Sequence, residues 1–270
     1  MKTALFVGAL STAALLGGAA AWRAADHRTD RSEARRLAEF QPADPGRFDA
    51  SRVADLPEPA RRYFAFAIAP DTPLWTVAEI SMTGQFALGD KDEPGYMAMT
   101  AQQTLAAPHG FVWSMRAARG AMRVSGFDSG QWTRFWAMGL IPVARIGGSR
   151  DHARSAFGRY VAEAVFWEAV DEDTARAIVT FDELSQSVDV TVGPDGRPTE
   201  VRFLRWTNAN PEKEFRLQPF GAYPSAFREF GGFTLPTHVE AGNNFGTEQY
   251  FPFFIAEVHD VRFPVPERAP

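Results

Sequence analysis

The stretch GLIPVARIGGSRDHARSAFGRYVAEAVFW, Gly139 to Trp167, decides the fold, because it sets a helix signal inside a long run of strand-like sequence. Gly147 and Gly148 break what precedes, and Ser149 is placed to cap the helix. Ala153, Ala156, Phe157, Tyr160, Val161, Ala164 and Val165 then recur at helical spacing. The opposite face carries His152, Arg154, Ser155, Arg159 and Glu163. Such a helix, expected over Ser149 to Phe166, lies across a sheet as a lid or plug.

On either side the sequence alternates with period two. Ile80, Met82, Phe86 and Leu88 alternate with polar residues, GDKDEPG (Gly89–Gly95) reads as a hairpin tip, and Met97 to Ala107 returns as a second strand. Phe111, Trp113, Met115 and Ala117 share one strand face, and Trp132, Arg134, Trp136 and Met138 share another. The arginine between two tryptophans predicts a cation–π stack. After the central helix, strand patterns resume from Phe166, with GPDGRP (Gly193–Pro198) as a strong turn. Upstream, LPEPARRYFAFAIAP (Leu56–Pro70) starts with prolines and places Ala60, Tyr63, Phe64, Ala67 and Ile68 on one face, the pattern of a helix. Its Arg61 and Arg62 lie off that face and read as solvated charges.

The fold these patterns predict is mainly β (α+β). It is a single, strongly curved antiparallel sheet, a half-barrel, with the Leu56–Ala69 helix and the central helix on its concave face. The domain spans 55–263 and is followed by a tail over 264–270. Thr3 to Trp22 is apolar and follows Lys2, so 1–22 reads as a signal peptide or a membrane anchor, and charged, proline-bearing 23–54 as a tether with a short helix through Arg35 to Phe40. Both of these readings of 1–22 place the protein in the cell envelope, periplasmic or membrane-anchored; a third alternative is an ordinary N-terminal core helix. The arginines after the segment leave a cytoplasm-facing anchor open.

Composition excludes several functions. The 270 residues contain no cysteine, which removes disulfides, thiolate metal sites and a cysteine nucleophile. A net charge of −5 argues against nucleic acid as a partner. The chain has no GxSxG, SxxK, HExxH or phosphate-loop motif. Its five histidines are not spaced as metal ligands, and Asp171–Asp173 reads as a solvated turn, so no cofactor or metal is expected. The best catalytic candidate is His238 with Glu240, on one side of a strand, and Glu248 nearby in sequence.

LPEPARRYFAFAIAP, AQQTLAAPHGFVW (Ala101–Trp113), GLIPVARIGG and FGGFTLPTHVEAGNNFGTEQYFPFF (Phe230–Phe254) resemble an uncharacterised bacterial family of unknown function over most of 55–263. More distantly, the order helix, strand block, central helix, strand block resembles the LolA-like half-barrel of periplasmic lipoprotein and lipid carriers. GGFTLPTHVEA is similar to a late strand of that fold. The second resemblance implies a non-catalytic domain that binds a lipid, acyl chain or other amphiphile; a retained N-terminal anchor would be a departure from that family, and it is this segment, not the resemblance, that points to the membrane. The lining expected for such a groove is Phe111, Trp113, Met115, Trp136, Met138, Phe157, Tyr160 and Val161. The alternatives are that these residues close on one another as core, that His238 and Glu240 serve a hydrolase-like enzyme, or that the domain binds a protein and no ligand.

Overall fold

The computed structural model describes residues 2–157 and 166–265, with side chains described from residue 14 onward. Among the described residues three α-helices are seen: α1 (Lys2–Ala38), α2 (Glu58–Ala67) and α3 (Arg150–Phe157). The strands of the first half are β1 (Val77–Phe86), β2 (Met97–Ala106), β3 (Gly110–Arg119), β4 (Met122–Ser129), β5 (Trp132–Ala137) and β6 (Ile141–Gly147). Those of the second are β7 (Phe166–Ala169), β8 (Thr174–Phe181), β9 (Leu184–Val192), β10 (Pro198–Thr207), β11 (Arg216–Phe230), β12 (Phe233–Asn243) and β13 (Phe254–Arg262).

All strands join one 13-stranded sheet in the order β6-β5-β4-β3-β2-β1-β13-β12-β11-β10-β9-β8-β7. The chain starts in the middle at β1, walks out to the β6 edge, crosses to the β7 edge, and walks back until β13 pairs with β1. Every pairing is antiparallel, and consecutive strands are neighbours except at the crossing that α3 begins.

The sheet curves strongly. Phe111 on β3 and Val179 on β8 share one buried cluster with Ala156 and Phe157 of α3, although their strands stand eight places apart in the sheet. A flat sheet would separate them by about 38 Å at ~4.8 Å per strand. The face that carries Phe111, Met115 and Val179 is therefore the concave one, and α3 sits in it.

Ser149 caps α3 as the sequence predicts: its hydroxyl accepts from the His152 amide at 3.1 Å. The helix is described only to Phe157, and Phe166, expected as its last residue, opens β7 instead, paired with Ile178. Ahead of that cap, Ile141–Gly147 forms edge strand β6 against β5.

Helix α2 lies on the same concave face in the second half. Ala60 and Ala67 are buried, and Tyr63 and Phe64 pack on Trp167 with ring centroids 6.3 and 5.5 Å apart. Arg62 is not a free surface charge. It pairs with Glu58 and Asp173 and donates to the carbonyls of Glu172 and Gly193, tying the acidic turn before β8 to the helix.

The expectation of a tether over 23–54 is overturned. Helix α1 runs without a break to Ala38 and lies on the convex face of β2–β5. Trp22, Asp26, Asp30, Ala34 and Leu37 follow near-i,i+4 spacing and make one face. Leu37 is fully buried with Val77, Ala106 and Val112. Beyond the helix, Gln41 completes the join: its side-chain oxygen accepts from the Val77 amide at 2.8 Å and its amide donates to the Val77 carbonyl at 3.1 Å. Asp26 and Asp30, within the segment expected as a tether, are held here by indole and guanidinium donors of the sheet. Among the residues with described side chains, from residue 14 onward, no helix is long and apolar enough to cross a membrane.

Candidate functional site: the concave groove

Between α3 and the loops at the far end of the sheet, the concave face of β1–β4 and β13 carries an apolar floor. Met82, Met97, Met99, Met115, Ala101, Ala117 and Ala256 are buried there as one cluster. Above them stand aromatic side chains that are only partly buried: Phe86, Trp113, Phe135 and Phe254. Trp113 lies 6.0 to 6.4 Å from Phe254, Phe86 and Phe135 by ring centroid. The aromatic lining continues into the second half through Phe253, Phe220 and Phe203, with successive centroids 6.2 and 5.1 Å apart.

Register explains this placement. Met115 opposes Ala101 and Gly126, and Gly126 opposes Phe135, so large and small residues alternate across four strands of one face. Gly126 leaves room for its neighbour: a Cβ built there would lie 2.8 Å from the Phe135 ring and 2.1 Å from the Arg134 carbonyl. Phe135 leans over the floor as a result. Methionines below and aromatic edges above give an unbranched, deformable lining suited to an apolar chain of variable shape.

The residues expected to line the groove divide into four groups. Trp113 and Met115 are in it. Phe111 and Phe157 lie on the same concave face, but at 3% and 1% exposure they close on each other beneath α3 as core. Trp136 and Met138 are elsewhere. Trp136 points to the convex face, where its indole donates to Asp26 at 3.1 Å and stacks edge-on with Trp22. Met138 stands in the β5–β6 turn at φ 48°, 54% exposed. Tyr160 and Val161 lie outside the described residues. The groove residues missed from sequence are Phe135, Phe254, Phe253, Phe220 and Phe203, of which Phe135 was hidden because the conspicuous tryptophans alternate with it on the other face. The expected stack is present, with the Arg134 guanidinium 4.4 Å from the Trp132 ring.

Asp26 organises the convex side. Burial alone would raise its pKa, but Arg145, Trp136 and Arg134 together hold it below the usual carboxylate value. Asp30 lacks that help. It is fully buried, accepts one bond from the Trp132 indole at 2.6 Å, and burial pushes its pKa up to about 6. A cleft of about 550 Å3 lined by Trp132, Arg134, Arg145 and His152 opens beside this cluster at the β5–β6 edge, away from the groove. Its two arginines already engage Asp26.

His238 and Glu240 do share one side of β12, on the convex face, with Nε2 and Oε1 3.3 Å apart. The stronger partner is Glu257, directly opposite on β13, whose Oε1 is 2.6 Å from Nδ1. The bond to Glu257, reinforced by Glu240, raises the His238 pKa against the opposing effect of burial. A carboxylate oxygen thus lies within hydrogen-bond distance of each ring nitrogen, and both favour the protonated ring. Glu248 is not a member of this cluster; its backbone carbonyl accepts from Lys91. Among the described residues no cluster of His, Asp and Glu is arranged to hold a metal ion.

A family model described as a family of unknown function, DUF6544, matches residues 46–255. The chain belongs to DUF6544. The matched stretch of this DUF6544 protein contains the groove rim and all of the floor except Ala256, whereas α1 precedes it. No curated protein matches the chain. Solved structures with similarity include a LolA superfamily protein from Nitrosomonas europaea, 12% identical over 70% of this chain and 86% of that one, TM-score 0.38. An outer membrane lipoprotein-sorting protein domain from Vibrio parahaemolyticus is 11% identical over 80% and 93%, TM-score 0.38. A DUF1329 family protein from Desulfovibrio piger is 9% identical over 87% and 93%, TM-score 0.37.

Proposed function

We propose that this DUF6544 protein is a non-catalytic domain of the cell envelope whose concave groove takes an apolar ligand such as a lipid acyl chain. The observation that carries the reading is the half-exposed aromatic rim, Phe86, Trp113, Phe135 and Phe254, over a buried methionine floor. These rings pack on the floor without being sealed by it, so their edges are available to an apolar chain lying along the concave face. Trp113 and Met115 are the residues from the sequence reading that belong to this lining, joined by Phe135, Phe254 and Phe220.

The hydrolase alternative is the less favoured reading, because His238 sits on the convex face, away from the groove, with a carboxylate beside each ring nitrogen. Membrane attachment through the apolar sequence of the N-terminal segment belongs to the same proposal and places the domain where amphiphiles are available.

The test is native mass spectrometry of protein purified without detergent, followed by organic extraction. A lipid-sized adduct that is released on extraction is expected. A clean apo mass, together with no uptake of added fatty acid, would contradict the reading.

A further inference from the structure

The first half of the sheet has two ends, and one of them is unusual. At that end the β3–β4 and β5–β6 turns expose Met122 (51%), Met138 (54%), Ile141 (57%) and Val143 (56%). Helix α1 passes the same end. Arg23 donates to the Gly139 carbonyl in the β5–β6 turn at 2.6 Å and to Ser125 on β4 at 2.8 Å, which fixes where the helix leaves the sheet.

Directly ahead of that exit are Trp22, 46% exposed with the Arg145 guanidinium 4.3 Å from its ring, and Leu15 and Leu16, also exposed. The helix continues to Lys2, so the apolar sequence Thr3–Trp22 extends about 31 Å beyond Arg23 at ~1.5 Å per residue, a length comparable to a bilayer's hydrocarbon core.

Charge completes the picture. Arg116, Arg119 and Arg123 are exposed on β3 and β4 beside this exit, and among the described residues no carboxylate pairs with them. The β1–β2 tip, which the Arg119 guanidinium reaches at Gly95, carries Asp90, Asp92 and Glu93, so the basic patch ends there. Arginine beside exposed methionine, isoleucine and an interfacial tryptophan matches the layer where acyl chains meet anionic headgroups.

We infer that this end of the sheet seats on an anionic lipid bilayer, with the β3–β4 and β5–β6 turns dipping to the acyl–headgroup boundary where α1 enters the leaflet. The groove then stands over the membrane at a fixed height and orientation, set by the Arg23 and Arg145 contacts to α1 and not by a flexible tether. The inference does not depend on the groove being a lipid site, since its observations lie on the turns, the arginines and α1.

The absence of cysteine makes the experiment direct. Single variants Met122→Cys, Ile141→Cys and Glu229→Cys of the full chain each carry one environment-sensitive dye; Glu229 is exposed near the opposite end of the sheet. They are mixed with vesicles of phosphatidylcholine alone or with phosphatidylglycerol added, with or without brominated acyl chains. Dyes at 122 and 141 are expected to shift blue and be quenched by the brominated chains on the anionic vesicles, while the dye at 229 stays in water. Arg119→Glu with Arg123→Glu should weaken that insertion at least about tenfold on the anionic vesicles and little on the neutral ones. Vesicle binding with 122 and 141 no more quenched than 229 would overturn the inference and leave α1 as a simple anchor. A concentration-dependent blue shift without vesicles would overturn it in favour of a second copy of the chain on this surface.

Discussion

Asp26 on α1 receives both terminal nitrogens of Arg145 on edge strand β6, Nη1 at 2.6 Å and Nη2 at 3.0 Å. Because Trp136 donates to the same carboxylate at 3.1 Å, one side chain joins the N-terminal helix to two strands. Asp26→Ala should cost about 1–3 kcal/mol in urea unfolding, less than a fully buried pair because Arg145 retains some solvent contact. Deleting residues 1–41 removes Leu37 and Gln41 as well and should lower the thermal midpoint sharply; an unchanged midpoint would mean that α1 contributes no stability.

Asp30 gives stability a pH dependence with a defined sign. Its folded carboxyl keeps a proton up to about 6 whereas the free group loses it near 3.8, so the folded state binds more protons between those values. Stability contributed at this site therefore falls as pH rises from about 4 to about 6 and stays reduced above, by roughly 1–3 kcal/mol. Asp30→Asn should flatten that part of the profile and raise stability at pH 8 relative to the parent. A variant profile that keeps the slope would assign it to another group.

His238 acts with the opposite expectation for function. The Glu257 bond raises its pKa, so the pair stabilises below about 6.5, the free value, and the contribution fades as pH rises through the folded pKa. On this partly exposed surface His238→Gln should cost within about 1 kcal/mol and leave ligand uptake unchanged. Loss of a measurable activity with the fold intact would revive the catalytic reading.

Phe157 and Trp113 separate core from groove. Phe157 is 1% exposed against Phe111 and Val179, so Phe157→Ala should cost about 3–5 kcal/mol. Trp113 is half-buried on the rim, and Trp113→Ala should cost less in thermal unfolding while weakening ligand uptake more. The reverse ranking would show that α3, not the aromatic rim, bounds the binding site.

These contrasts follow from what the chain reveals before it folds. Period-two alternation is local, so β1–β5 and most later strands are legible, as is α3, whose serine and glycine pair act within a few residues. The face to which a strand's residues turn depends on register across four strands, and so Phe135 takes the concave position expected of Trp136. Helix α1 is hidden for a related reason. Its contact face includes Asp26 and Asp30, which look solvated until Trp132, Arg134, Trp136 and Arg145 are known to face them. The β12–β13 loop shows the same dependence on partners. Gly221 looks like an interruption in a strand, yet a Cβ there would lie 2.4 Å from the Phe245 ring that folds back over it. The groove rim was partly legible, through Trp113, and partly not, because Phe220, Phe253 and Phe254 arrive from the other end of the sequence.

The groove itself is tested most directly by displacement of a fluorescent fatty acid from the parent protein and from Phe135→Glu, with Glu229→Gln as a remote control. Phe135 stands half-exposed over the methionine floor, so a carboxylate there places charge where an acyl chain would lie without opening the buried core. Saturable binding to the parent and the control, and at least about tenfold weaker binding to Phe135→Glu with its thermal midpoint nearly kept, is the predicted result. No saturable binding to the parent, or equal affinity for all three proteins, would contradict the account.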